Sequence, residues 1–181
     1  RRMGLGVTGL ANCGEALGYS YGSKGFIRWT NRLLKTIANE TYRASAMLAQ
    51  EKGAFPLYTE EFLQSKFISR LDEDVQDSIR NNGCRNSHLL SIAPTGTISL
   101  TADNISSGIE PPFLHEFERT MQTEDGEVKV IVEDYSAREW GIKGKTADEC
   151  TVQEHLDVLV AASKWVDSAV SKTLNVSDEV S

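Results

Sequence analysis

The residues best suited to chemistry lie in the run LLSIAPTGTISL, residues 89–100, where an apolar stretch meets a turn of Thr, Gly and Ser that opens a short helix. A strand that runs into a helix start leaves the first backbone N–H groups without partners and aligns their dipoles, which suits a phosphate. Gly96 lets an anion come close, and the hydroxyls of Thr95, Thr97 and Ser99 add donors. Main-chain amides supply the positive end, so no lysine is needed. The run is not a Walker loop, because the closing G-K-[ST] is missing. An ordinary strand-to-helix turn with capping hydroxyls is the other reading of the same residues.

A second glycine pattern, Gly4, Gly6 and Gly9, spells G-x-G-x-x-G. Only Arg1 to Met3 precede it, and the acidic partner expected about 20 residues on is absent, so it is not read as a dinucleotide site. Cys13, Cys84 and Cys150 are far apart, odd in number, and lack C-x-x-C or metal-ligand spacing. They read as reduced thiols. His88, in an apolar stretch, reads as a hydrogen-bonded core histidine, and His115 and His155 as surface or strand-end residues. Glu110, just before Pro111 and Pro112, either holds a turn near an active face or is a paired carboxylate.

These residues need elements to position them. Residues 3–10 suit a short buried strand in which glycine admits a second backbone. A short helix follows over 10–18, and Ser23 is placed to cap the next one. From 26 to 51, Phe26, Leu33, Ile37, Ala44 and Leu48 recur at helical spacing, with Leu34, Ala38 and Tyr42 beside them. Gly53 and Pro56 stop that helix. A helix from Thr59 or Glu60 to Phe67 and one capped by Asp72 come next, and residues 87–93 form the strand that enters the phosphate turn. Residues 113–123 alternate like a strand, Asp125-Gly126 signals a turn, and 127–132 pairs back, with 124–127 as a solvated tip. A helix begins somewhere in 132–140. Thr151 and Glu154 spell a capping box before another helix, 141–148 suits a mobile loop, and 169–176 a last strand.

Strands alternating with helices predict an α/β fold with a mostly parallel sheet covered by helices. The 181 residues fit a single domain, and no stretch reaches the roughly 20 apolar residues of a spanning helix. A net charge of −7 argues against broad nucleic-acid or acidic-membrane binding. The expectation is a soluble, cytoplasmic protein that binds neither nucleic acid nor membrane.

Four blocks, RRMGLGVTGLA (1–11), RNSHLLSIAPTGTISL (85–100), SSGIEPPF (106–113) and VSKTLNV (170–176), occur in the order found in ribonucleotide reductases. Together they span nearly all of the chain, and they resemble the class II, adenosylcobalamin-dependent type. The resemblance implies the second half of an α/β barrel, parallel strands with covering helices. On this reading residues 1–181 are a single partial domain, and the N-terminal half with its radical-cysteine finger loop is missing. It also implies that Ala93, Pro94, Thr95, Gly96, Thr97, Ile98 and Ser99 bind the phosphates of a ribonucleoside di- or triphosphate, with Glu110 on the active face. Adenosylcobalamin is the implied cofactor, not held by this segment alone. No catalytic or metal residue is assigned. The finger-loop motif N-P-C-x-E has its nearest match at Asn12-Cys13-Gly14-Glu15, which lacks the proline, so Cys13 is read as a helix residue and the isolated chain as inactive. The implied partners are the missing half of the barrel and a second copy of the chain. A class I large subunit, and a non-catalytic split-gene piece that assembles with an N-terminal half, stand as alternatives.

Overall fold

The computed structural model describes residues 1–123 and 126–174. In chain order the elements are β1 (Arg2–Leu5), α1 (Leu10–Ala16), α2 (Lys24–Lys52), α3 (Glu73–Asn82), β2 (His88–Leu90), α4 (Gly96–Thr101), β3 (Glu116–Thr123), β4 (Gly126–Glu133), α5 (Tyr135–Trp140) and α6 (Val152–Ser163). The result is α/β, as expected, and it divides into two compact units. One comprises Arg1–Gly6, Trp29–Ala93 and Val160–Val170, the other Val7–Arg28, Pro94–Leu159 and the described residues from Ser171.

The first unit is built on a parallel pair, β1 beside β2, with Arg2 opposite His88 and Leu5 opposite Leu90. A single parallel bridge joins Ile92 to Val170. Of the strand expected over 169–176 this bridge is what forms among the described residues; 175 and 176 lie outside them. At Gly6 the neighbouring backbone leaves no room for a side chain, since a Cβ there would lie 2.2 Å from the Ser91 carbonyl oxygen. Glycine is thus required by a strand neighbour. On the other side of β2, the Asp167 carboxylate accepts the N–H groups of Leu89 (2.8 Å) and Leu90 (3.0 Å) and the hydroxyl of Tyr42. A charged side chain satisfies two main-chain donors that would otherwise be stranded near the core.

The long helix forms over nearly the expected span, but its buried stripe is Leu34, Ala38, Tyr42, Ala46 and Ala49. The expected stripe included Ala44 and Leu48, which are exposed. One residue of offset turns a helix by about 100°, and here the face of small residues lies inward, where alanine permits close packing. The helix expected over 59–67 is instead two 3-10 turns, Glu60–Gln64 and Ile68–Arg70, broken at Ser65, whose backbone is extended. Asp72 stands at the N-cap position of α3 without capping it. Its carboxylate is drawn to Lys35 at 2.7 Å, and its N–H donates to the Asn39 side chain. Cys84 is buried and bonded to Ser45 and to the Asn86 carbonyl.

In the second unit Ser23 accepts the N–H of Phe26, the cap the sequence predicts. Strands β3 and β4 form the expected antiparallel hairpin, Glu116 opposite Glu133 and Thr123 opposite Gly126. The proposed tip residues 124 and 125 lie outside the described residues. The strand-to-helix boundary falls at Asp134, which caps α5 by accepting the N–H groups of Ser136 and Ala137. Thr151 and Glu154 make the capping box of α6 in both directions. A second box, Thr146 with Glu149, closes a 3-10 turn at Ala147–Glu149. Residues 141–148, expected to be a mobile loop, are pinned: Lys145 N–H donates to Glu15, its ammonium pairs with Glu154, and Ala147 N–H donates to the Pro112 carbonyl. No helix among the described residues is long and apolar enough to cross a membrane.

Candidate functional site

The turn before α4 is held by side chains from well-separated stretches of the second unit. Thr95 is the N-cap and sits in the left-handed region (φ 55°, ψ 22°), which is costly for a β-branched residue. Its hydroxyl explains how it stays there: Oγ1 lies 2.9 Å from Thr8 Oγ1 and accepts the N–H of Gly108 at 2.7 Å. Thr8 in turn accepts the same N–H at 3.1 Å and donates to the Ser106 carbonyl. Ser99 is buried, donates to the Gly96 carbonyl and faces Ser107 Oγ, both at 2.9 Å. The hydroxyls of Thr95 and Ser99, expected to be free donors, are therefore engaged within the chain. The reason is geometric: a six-residue helix entered from a strained turn needs side-chain bracing.

The amides remain open. Ser99 N–H is taken by the Thr95 carbonyl at 2.7 Å, while the N–H groups of Gly96, Thr97 and Ile98 have no acceptor among the described residues. These three residues are exposed, as are Ala93 and Pro94. A Cβ at Gly96 would meet nothing within 4 Å, so the space in front of it is clear. Gly96 and Ser99 line a cavity of about 460 Å³ with Ile105, Glu110, Pro112, Phe113, Phe117 and Arg119. That volume is typical of a small-molecule site, about 300–1,000 Å³. Thr97 lines the neighbouring cavity on the other flank of α4, about 660 Å³.

Glu110 also lines the first cavity, but both of its oxygens are occupied. Oε1 accepts the N–H of Thr173 at 2.6 Å and Oε2 pairs with the Lys172 ammonium. Of the two sequence readings, the paired carboxylate describes its contacts. The Lys172 side chain is 1% exposed and its Nζ also lies 2.8 Å from His155 Nδ1. His155, expected at the surface, is 1% exposed on α6. Burial and the adjacent ammonium hold its pKa below the ordinary histidine value. The neutral ring then accepts from Lys172 at Nδ1 and donates from Nε2 to the Ala147 carbonyl at 3.3 Å, a tautomer assigned from its partners.

Behind the cavity, Asn12 ties α1 to this wall. Its amide donates to both Asp134 oxygens at 3.0 Å and to Ser136, and its carbonyl accepts the Ser106 N–H. Thr8, Asn12, Asp134, His155 and Lys172 were not singled out from sequence for this site. Thr8 and Lys172 did lie in distinctive blocks, and a lone threonine between glycines is the one signal that pointed inward. Cys13 is exposed on α1, as a helix residue; Cys84 and Cys150 are buried. Burial pushes the Cys84 thiol up and that of Cys150 to about 11, which keeps both protonated.

Within an α/β fold, then, the second unit presents main-chain amides without acceptors at the start of α4, next to a cavity of about 460 Å³. Residues 1–141 match the family model described as ribonucleotide reductase, barrel domain. The chain is 33% identical to a vitamin B12-dependent ribonucleoside-diphosphate reductase of Mycobacterium tuberculosis (strain H37Rv), over 97% of the chain and 26% of that protein. A Thermoplasma acidophilum protein of the same name is 30% identical, over 97% of the chain and 24% of its own length. A ribonucleoside-diphosphate reductase subunit alpha of Helicobacter pylori (strain 26695) is 26% identical over the same shares. The chain belongs to the ribonucleotide reductase barrel-domain family. It spans about a quarter of the length of these curated relatives.

Proposed function

We propose that the chain supplies the substrate phosphate-binding loop of a ribonucleotide reductase, with residues Ala93, Pro94, Thr95, Gly96, Thr97, Ile98 and Ser99 gripping the phosphates of a ribonucleotide. The observation that carries this reading is the set of three open, exposed N–H groups, Gly96, Thr97 and Ile98, with Gly96 on a cavity of about 460 Å³ and Thr97 on the neighbouring one. Their dipoles converge where negative charge would sit. Thr97 adds its hydroxyl, which no described residue occupies, while Thr95 and Ser99 hold the turn in shape. Ala93 and Pro94 deliver the chain to it.

The relatives named vitamin B12-dependent ribonucleoside-diphosphate reductases support a ribonucleoside diphosphate as the substrate, which the whole enzyme would convert to the 2′-deoxyribonucleotide. The rest of the barrel, as the partner of this segment, would supply the radical cysteine. The chain's own cavity is of nucleotide size and too small for a corrin with its side arms, so its residues do not fit adenosylcobalamin by themselves. Glu110 is a fixed part of the wall and not a free base, because Lys172 and Thr173 occupy both oxygens. No step of the radical reaction is assigned to residues of this chain, and residues 1–181 are expected to bind nucleotide without reducing it.

The test is Thr97→Val, which keeps side-chain volume and removes one exposed hydroxyl. Calorimetric titration with a ribonucleoside diphosphate should show binding weakened by roughly three- to tenfold, the net worth of one typical hydrogen bond. The melting temperature should not change. Equal affinity in both proteins would remove Thr97 from the site, and absence of binding by the unaltered chain would remove the loop.

A further inference from the structure

Among the described residues, three side chains of formal charge line the cavity beside Gly96: Glu110, Asp134 and Arg119. Two of them are neutralised or fully bonded. Glu110 is held by Lys172 and Thr173, and Asp134 by Asn12, Ser136 and Ala137. Arg119, on β3, forms no ion pair among the described residues. Its strand neighbour Glu118 pairs instead with Lys129 at 2.6 Å, and the residue opposite it on β4 is the apolar Val130. The other arginine near α4, Arg138, is already matched by Asp103 and Glu139.

An uncompensated guanidinium thus lines one cavity together with Gly96 and the neighbouring cavity together with Thr97. Three converging N–H groups suffice for the oxygens of one phosphate. A second phosphate carries its charge beyond their reach and calls for a cation, and a guanidinium offers a planar fork that matches two phosphate oxygens. Arginine cannot lose its proton near neutral pH, so this charge is permanent.

We propose that Arg119 binds the terminal phosphate of the nucleotide and makes the site select a diphosphate, or a longer chain, over a monophosphate. The inference rests on the loop reading above and adds to it the residue that counts phosphates.

The experiment titrates the full 181-residue chain, its Arg119→Gln and Arg119→Lys variants, and Thr97→Val, with cytidine diphosphate and cytidine monophosphate by calorimetry. The unaltered chain should prefer the diphosphate by at least about tenfold, the worth of a hydrogen-bonded charge pair. Arg119→Gln should bring the diphosphate to within about twofold of the monophosphate and leave monophosphate affinity unchanged, and Arg119→Lys should keep part of the preference. The circular dichroism spectrum and melting temperature should match the unaltered chain, since Arg119 is an exposed residue of a hairpin. If Arg119→Gln keeps the full preference, or if the unaltered chain has none, the inference is overturned while the loop reading survives in the weakening of both nucleotides by Thr97→Val. If the unaltered chain binds neither nucleotide, the loop reading falls and Arg119 falls with it.

Discussion

Glu15 shows what a single buried carboxylate does to this chain. It is 8% exposed; one oxygen accepts the Lys145 N–H at 3.0 Å, and the other is buried without a hydrogen-bond partner. Gly144 packs so closely on it that an added Cβ would overlap the carboxylate. Burial is the main reason its pKa rises to about 7, with the Lys145 and Tyr21 N–H groups pulling the other way and Asp134 and Glu149 adding to the rise. The folded state therefore prefers the protonated acid. Below the ordinary value of 4.5 both folded and unfolded chains hold the proton, so nothing is lost. As pH rises from there to about 7 the unfolded chain releases it first, and stability falls by roughly 2–3 kcal/mol before levelling off. Urea unfolding between pH 4.5 and pH 8 should show this loss in the unaltered chain relative to Glu15→Gln; parallel profiles for the two proteins would refute it. None of this was legible in the sequence, because the carboxylate is buried by Gly144 and bonded by Lys145, about 130 residues along the chain. The turn into α4 and its open amides were legible, since these are main-chain groups that a local pattern fixes, but the engaged hydroxyls of Thr95 and Ser99 were not, because Thr8, Ser107 and Gly108 come from other segments.

At the scale of elements, local signals located what local forces decide. The Ser23 cap, the Thr151–Glu154 box and the hairpin all form where residue type and spacing place them. Elements decided by tertiary partners came out differently: α2 turns Ala38, Ala46 and Ala49 inward, and Asp72 gives up capping for Lys35. The parallel pair was readable in kind, because apolar strands punctuated by glycine suit close neighbours, and Gly6 shows the closeness directly. Its substitution tests the packing. In Gly6→Ala the new methyl meets the Ser91 carbonyl at 2.2 Å, a backbone atom that cannot swing away, so β1 and β2 must separate locally. The expected cost is about 1–3 kcal/mol in urea unfolding, the usual range for overpacking. Unfolding at the unaltered denaturant midpoint would contradict the register of β1 on β2.

At the scale of the whole molecule, the four sequence blocks that resemble ribonucleotide reductases acquire a physical meaning in the second unit. Thr8 from the first, Thr95 and Ser99 from the second, Ser106 to Glu110 from the third, and Lys172 and Thr173 from the fourth bond to one another around a single cavity. Each block supplies part of this hydrogen-bonded arrangement, which leaves three amides unspent. Membership of the family and the geometry of the frame support the same assignment by separate routes. Amide resonances report on it without any need for catalysis. Titrating the isotopically labelled chain with a ribonucleoside diphosphate, followed by proton–nitrogen correlation spectra, should shift the Gly96, Thr97 and Ile98 N–H signals downfield and saturably, with Ser99 moving less because its N–H is already bonded to Thr95. Shifts confined to other residues, or no shift at saturating nucleotide, would contradict the claim that these amides hold the phosphate.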